Sequence, residues 1–346
     1  MKILVTGAAG FIGFHTINKL LSKKGITVFG LDNINSYYDT KLKKDRLKIL
    51  KKRYGKKFYF SKTDITNKNK ILKIFKKNKF NTVIHLAAQA GVRYVKKNPD
   101  IYFESNLRGF FNILTACQQS KISHLISAST SSVYGANKKL PYETKLPADH
   151  PTQFYAASKR SNEIIGHAYS HMYNLPITFL RFFTAYGPWG RPDMSLYIFV
   201  ESCLKGKRAS VYNYGLHSRD FTYIDDIVNG IILTTKKIPK KNKNWNPKLP
   251  DPSSSSAPFK ILNIGNGRRI NLIEYVKTIE KVLNKKMKIN LVKFQEGDIK
   301  DTLAGIKETH KYLRYKPKTK LINGIKSFIR WYRSYKKIWK KFYSLY

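Results

Sequence analysis

The sequence predicts an α/β fold, doubly wound around a parallel sheet and completed by a smaller α/β lobe. Two observations carry that expectation. Through the first half, short runs rich in Val, Ile, Leu and Phe alternate with stretches whose apolar residues recur at helical spacing. That order puts helices on both faces of a parallel sheet. From about Phe183 the alternation breaks into Gly-, Pro- and Tyr-rich loops mixed with short elements. In chain order, residues 3–6 read as the first strand. The helix after Gly10 carries Phe11, Ile12, Leu20 and Leu21 and stops before Gly25. Residues 27–31 form a second strand ending at Asp32, 41–57 a basic helix and loop, and 58–61 a third strand. Residues 82–86 and 124–128 are buried strands, 154–173 a long helix and 177–181 the strand after it. The first domain is therefore drawn at 1–182 and the second at 183–346, with room for a later segment to return to the first sheet. Residues 239–258, with serines at 253–256, read as a long loop of the kind that covers a substrate site.

Composition narrows the class. A chain of 346 residues can bury a large core. Cys117 and Cys203 match no metal or redox spacing and suggest a reducing cytoplasm, with no metal site. No signal peptide is expected, because Met1 runs straight into the first strand. No apolar run reaches membrane-spanning length, so no stable membrane insertion is expected. The net charge of +45 would ordinarily point to nucleic acid. Lysines outnumber arginines 52 to 14 and are scattered over the whole length without a nucleic-acid motif. Lysine filling solvated positions explains the charge better than a nucleic-acid partner does. Residues 325–346 read as a basic amphipathic helix whose first half packs on the smaller lobe and whose last turns face solvent or an anionic surface.

Gly7-Ala-Ala-Gly10-Phe11-Ile12-Gly13 follows the first strand and opens the helix. Gly7 permits the turn, Gly10 lets backbone approach a pyrophosphate, and Gly13 lets helix pack on strand. A diphosphate then meets free N–H groups at the positive end of the helix dipole. This is the Rossmann fingerprint for a dinucleotide. Asp32 at the end of the second strand suits a free ribose 2′-hydroxyl and repels a 2′-phosphate, favouring NAD over NADP. Asn33, Asp64, Ile65, Asn106 and the small-residue run Leu86-Ala87-Ala88-Gln89 complete the expected cofactor set.

Tyr155-Ala-Ala-Ser-Lys159 puts a phenol and an ammonium on one helix face. A tyrosine ordinarily ionises near pH 10, too high for a base at neutrality. Lys159 and a nicotinium charge would pull that value down, and Lys159 would also hold the nicotinamide ribose. Thr130, after the 124–128 strand, can hydrogen-bond the reacting oxygen. With a nucleotide fold beside them, Thr130, Tyr155 and Lys159 point to hydride chemistry on an alcohol carbon.

These residues resemble the extended short-chain dehydrogenase/reductase family, and within it the UDP-glucuronate 4-epimerase group. The likeness runs from residue 1 to about 335. Besides the two motifs above it rests on residues 32–38, 85–94, 130–135, 181–194, 219–226 and 251–258. It implies NAD as cofactor and a UDP-sugar as substrate. Tyr155 would act as base while C4 is transiently oxidised, and the 4-keto sugar would turn over and be reduced on its other face. It also implies Arg219 on the diphosphate, Asp298 on the uridine ribose, Ser131 and Ser132 beside the sugar, and Thr184 and Arg191 on the sugar carboxylate, with Arg93 nearby. An unpaired guanidinium at Arg191 would penalise a neutral hydroxymethyl group and so favour an acid. A small residue, Thr302, stands where some hexose epimerases carry a bulky tyrosine. Two departures stand out: Gln295 replaces a family arginine, and Ala304-Gly305 replaces Ala-Asp. The resemblance further implies a homodimer through helices near 106–119 and 154–173. The competing readings are 4-epimerisation of another UDP-sugar, a dehydratase or decarboxylase, and a non-catalytic nucleotide-binding protein. Ser131-Ser132 cannot shuttle protons as the Asp-Glu of the dehydratases does.

Overall fold

The computed structural model describes residues 1–346 except 92, 93, 97, 296, 297 and 344–346, with Lys96 and residues 338–343 described by backbone alone. The strands are β1 (Lys2–Thr6), β2 (Thr27–Asp32), β3 (Phe58–Lys62), β4 (Thr82–His85), β5 (His124–Thr130), β6 (Ile177–Phe182), β7 (Thr184–Tyr186), β8 (Ala209–Tyr212), β9 (Ser218–Tyr223), β10 (Phe259–Ile264), β11 (Arg269–Asn271) and β12 (Ile289–Val292). The helices are α1 (Phe11–Leu21), α2 (Thr40–Tyr54), α3 (Lys68–Asn78), the short α4 (Asp100–Tyr102), α5 (Gly109–Gln119), α6 (Phe154–Tyr173), α7 (Ser195–Lys205), α8 (Ile224–Thr235), α9 (Leu272–Leu283), α10 (Lys307–Leu313) and α11 (Leu321–Tyr343).

Seven strands form one parallel sheet in the order β10-β6-β5-β4-β1-β2-β3. The order reverses on either side of β1, and ligands bind such sheets at the carboxyl ends beside that reversal. Side chains alternate across the sheet because the strand period is two. Along β1, Ile3 and Val5 join one apolar cluster and Leu4 joins the other. β10 comes from the second half of the chain and supplies the seventh strand, with Asn263 opposite Arg181 of β6. The smaller lobe holds the sheet β11-β9-β7 and the pair β12-β8.

Two features depart from the sequence expectation. The long loop at 239–258 contributes nothing to the substrate cavity. Instead it covers the free edge of β10: the Ile261 N–H donates to Ser253 O at 2.8 Å, and Ser254 bridges Lys260. An uncovered edge strand is an aggregation hazard, and that is the physical need this loop meets. The C-terminal helix reaches further than the small lobe. It packs on α9, and Phe328, Trp331, Tyr332 and Tyr335 surround Trp189 and Tyr197. The Tyr335 hydroxyl then donates to Asp45 of α2 at 2.7 Å, tying α11 to the dinucleotide half as well. The side chains of Ile338, Trp339 and Phe342 lie outside the described set. Among the described residues, no helix is long and apolar enough to cross a membrane, and no group of three or more His, Cys, Asp or Glu could hold a metal ion.

Candidate active site

A cavity of about 880 Å³ opens at the carboxyl ends of β1, β4, β5 and β6 and runs into the smaller lobe. Its first end is the glycine turn. Gly7 has φ +70°, and a Cβ there would stand 2.8 Å from the Ala87 nitrogen. The Gly10 N–H donates back to Gly7 O at 3.0 Å, and Gly10 caps α1 without any side chain. The first N–H groups of α1 are therefore left for a ligand, and the bare backbone fits a pyrophosphate. Asp32 accepts from the Ala9 N–H at 3.0 Å and the Ile34 N–H at 2.8 Å, which aims its carboxylate across the turn. Burial pushes that carboxyl above its ordinary value, while these N–H groups and the charges of Lys43 and Arg46 pull it down. Asn33 donates to Asp64 at 2.8 Å, and Thr66 donates to the same carboxylate twice. Burial raises the Asp64 carboxyl, but Asn33 and Thr66 outweigh it, leaving the group below its usual range.

Of the residues expected to hold a cofactor, Gly7, Gly10, Phe11, Ile12, Gly13, Asp32, Asn33, Asp64, Ile65, Leu86, Ala87, Ala88, Gln89, Tyr155 and Lys159 all line this one cavity. Asn106 does not. Its amide accepts from the Gln89 N–H at 2.8 Å and donates to Gln89 O and to the Ser158 hydroxyl, both at 3.1 Å. It pins the β4 loop to α6. Lys43 lines the cavity near Asp32 and was not foreseen; its ammonium donates to the backbone and side chain of Asn35 at 2.8 and 2.7 Å. The available signal was its place on the inward stripe of α2 with Arg46, Leu47 and Leu50.

The three residues expected to carry the chemistry gather where β5 ends and α6 begins. Thr130 is the last residue of β5, and its hydroxyl accepts from the Ser132 N–H at 3.2 Å. Tyr155 and Lys159 stand one turn apart on α6. Burial raises the Tyr155 phenol above its ordinary value, and the opposing groups are the Arg191 charge and the Thr130 hydroxyl. The expected help from Lys159 is not what the protein alone supplies. Burial lowers Lys159 to about 8, with Glu163 opposing the shift. Glu163 in turn is fully enclosed: Arg181 donates to both its oxygens at 2.9 and 2.8 Å, Ser129 at 2.6 Å and Arg160 at 3.1 Å. The Glu163–Arg181 ion pair lies one helical turn from Lys159 on α6, and the Glu163 charge acts on that ammonium.

Ser131, Ser132, Thr184, Arg191, Arg219 and Asp298, expected on the substrate side, all line the same cavity, as does Thr302. Arg93 lies outside the described residues. Arg219 donates to Ser218 O at 3.0 Å and Lys300 O at 2.8 Å, which anchors its guanidinium between β9 and the segment around Lys300. Arg191 departs from the sequence expectation. It is not unpaired: Nε donates to Asp193 Oδ1 at 2.9 Å and Nη2 to Oδ2 at 2.5 Å. A residue two positions away supplies the counter-charge, so the penalty expected from an unpaired guanidinium does not arise.

The loop bearing this pair is held from behind. Trp189 sits at φ +62°, a left-handed conformation rare for a bulky residue. Its carbonyl accepts from Arg46 at 2.5 Å, the Pro188 carbonyl meets His15 Nε2 at 2.9 Å, and its ring packs against Phe14, Trp331 and Tyr335.

Comparison with known proteins agrees with this architecture. The family model for the NAD-dependent epimerase/dehydratase family matches residues 3–246. The chain belongs to that family. Among curated relatives, Protein CapI of Staphylococcus aureus is 47% identical over 97% of this chain and 100% of its own length. UDP-glucuronate 4-epimerase 4 of Arabidopsis thaliana is 43% identical over 97% of this chain and 76% of its own. Among solved structures, the UDP-glucuronic acid 4-epimerase of Bacillus cereus, in complex with UDP-glucuronic acid and NAD, superposes with a TM-score of 0.85. It is 31% identical over 97% of this chain and 100% of its own. Family membership thus accounts for the parallel sheet and the glycine cradle together.

Proposed function

We propose that this family member is an NAD-dependent 4-epimerase of UDP-uronic acids, interconverting UDP-glucuronate and UDP-galacturonate. The observation that carries the reading is the single cavity joining a dinucleotide cradle, the Thr130–Tyr155–Lys159 centre and an arginine-bearing sugar wall. NAD bound in this cradle would supply a reversible hydride acceptor for C4 of the sugar. The remaining work falls to the chain. The N–H groups after Gly10 would hold the cofactor diphosphate, and Asp32 would take the adenosine ribose hydroxyls. Thr130 hydrogen-bonds the 4-oxygen while Tyr155 removes its proton, and Tyr155 returns that proton once the sugar has presented its other face. Arg219 and Asp298 hold the UDP portion as the pivot, and Thr184 and Arg191 address the carboxylate. Incubation with UDP-glucuronate, followed by NMR of the products, tests the assignment. Signals of UDP-galacturonate are expected; UDP-pentose or 4,6-dehydrated products would instead place the protein with the decarboxylases or dehydratases.

The same reading includes a homodimer in the cytoplasm. Phe111 on α5 and Ile164, Met172 and Tyr173 on the adjacent α6 are 43, 56, 66 and 47% exposed. A second copy laying its own pair of helices here would cover them. Light scattering on the wild type and on Ile164→Glu checks this; a monomeric wild type would remove the dimer. The two cysteines are free and buried, which fits a reducing compartment.

A further inference from the structure

We propose that Asp193 is a built-in counter-ion for Arg191, and that its charge sets how sharply the sugar pocket separates acidic from neutral UDP-sugars. The proposal rests on the UDP-uronate reading above and adds a positioning residue to it. Both side chains face the cavity that holds Tyr155 and are only 19 and 34% exposed. Their pairing is side-on, through Nε and Nη2, which leaves Nη1 for a ligand. Asp193 is held in turn: the Tyr37 hydroxyl donates to its Oδ2 at 3.1 Å, and the Arg191 guanidinium lies 5.6 Å from the Tyr37 ring. Tyr37 belongs to the loop that begins at Asp32, and its N–H is caught by Asn35, itself anchored by Lys43. The carboxylate is thus fastened to the cofactor side of the cavity and does not depend on substrate for its place.

Two consequences follow from charge alone. A guanidinium already paired loses little when a neutral hydroxymethyl group settles beside it, so neutral UDP-hexoses meet a small penalty. An acid that shares Arg191 must also sit near the Asp193 charge, which weakens its gain. Asp193 therefore moderates selectivity from both directions. Asn at this position keeps the acceptor and the shape but deletes the charge. Arg191 then stays uncompensated until an acid arrives.

The test compares kcat and KM for UDP-glucuronate and UDP-glucose in the wild type, Asp193→Asn, Asp193→Ser and Asp193→Glu, with bound NAD and melting temperature recorded for each. In Asp193→Asn the KM for the acid should fall and that for UDP-glucose should rise. The ratio of kcat/KM values, acid over neutral, should climb about tenfold, equivalent to one unit charge acting across a partly screened pocket. Asp193→Ser should shift the ratio the same way, which covers the case in which the Asn variant folds poorly. Asp193→Glu, which restores the charge, should return the ratio to near the wild-type value. A role confined to folding would lower both substrates together. An unchanged or falling ratio in the charge-deleting variants overturns the proposal. A wild type that does not turn over UDP-glucuronate overturns the functional reading, and this inference with it.

Discussion

The cofactor end of the cavity and the wall bearing Arg191 are built by different means. The cradle takes its residues from the carboxyl ends of neighbouring strands, whose positions are set by seven hydrogen-bonded parallel strands. The Arg191 wall is a loop, residues 187–194, whose shape is imposed by side chains of α1, α2 and α11. In the first region geometry follows from the backbone; in the second it follows from packing. Under the function proposed above, the hydride chemistry belongs to the former and recognition of the sugar to the latter. Perturbing the catalytic centre should therefore leave the architecture standing, whereas perturbing the wall's supports should change recognition before chemistry.

The largest effect is expected at the strand-end side. Tyr155→Phe removes only the phenol's ability to take and return a proton. It should lower kcat by about a thousandfold or more, within the range or beyond for general acid–base groups. Bound NAD and melting temperature should stay near wild type, because the packing of the ring is retained. A variant with near-normal kcat would remove Tyr155 from the role of base.

Lys159 tests the same rigidity through stability. Burial holds its folded value near 8, below the roughly 10.4 of an unfolded lysine. Between those values the unfolded chain binds the extra proton, so the contribution of Lys159 to stability rises with pH across about pH 8 to 10.4. Below pH 8 the buried ammonium costs the native state, and Lys159→Met should raise stability at pH 7 by roughly 3 kcal/mol while ending turnover. Denaturant titrations at pH 7 and 9.5 check the sign. A wild-type stability that falls between those pH values, set against a flat Lys159→Met, would contradict it.

Much of the first region was legible in the sequence, because its residues are local and regularly spaced. Gly7 to Gly13, Asp32 and the Tyr155–Lys159 pair fall within single turns or strand ends, so spacing alone implies proximity. What was not legible needed long-range contacts. Lys43 looked like one more lysine on a basic helix until its inward face was seen. The partnership of Glu163 with Arg181 joins α6 to β6, and nothing in either stretch announces the other. The loop at 239–258 had the composition of a lid, but a strand edge at β10 was its actual neighbour. The sequence marks Arg191 but not its pairing with Asp193, because arginine and aspartate two residues apart in a loop have no fixed mutual geometry.

On the packed wall, Arg191→Ala should cost the acid more than a neutral sugar. The expected loss in kcat/KM for UDP-glucuronate is about 10- to 100-fold, in line with losing a charge-assisted contact of about 1.5–3 kcal/mol. UDP-glucose should lose much less. Because Arg191 also lowers the Tyr155 phenol, part of the loss should appear for both sugars as a shift of the kcat profile to higher pH. Equal losses without that shift would place Arg191 away from the substrate.

The smallest effect, and the sharpest separation of the two regions, is expected from Trp331→Ala. Trp331 packs 5.2 Å from Trp189 and stacks on Tyr335 at 5.4 Å, and neither of those rings lines the cavity. A left-handed conformation costs a residue such as Trp189 roughly 1–2 kcal/mol, which the surrounding packing offsets. Removing one side of that packing lets residues 187–194 relax and moves the Arg191–Asp193 pair by a fraction of its reach. KM for the sugar nucleotide should rise by about tenfold or less, given that larger misplacements near 1 Å can cost far more. kcat and bound NAD should hold, since strand pairing places the sheet-end residues and Tyr335 keeps its bond to Asp45. Trp331→Phe should recover most of the loss. If kcat falls while KM stays constant, the wall and the catalytic centre are one mechanical unit and the division between strand-set and packing-set regions fails.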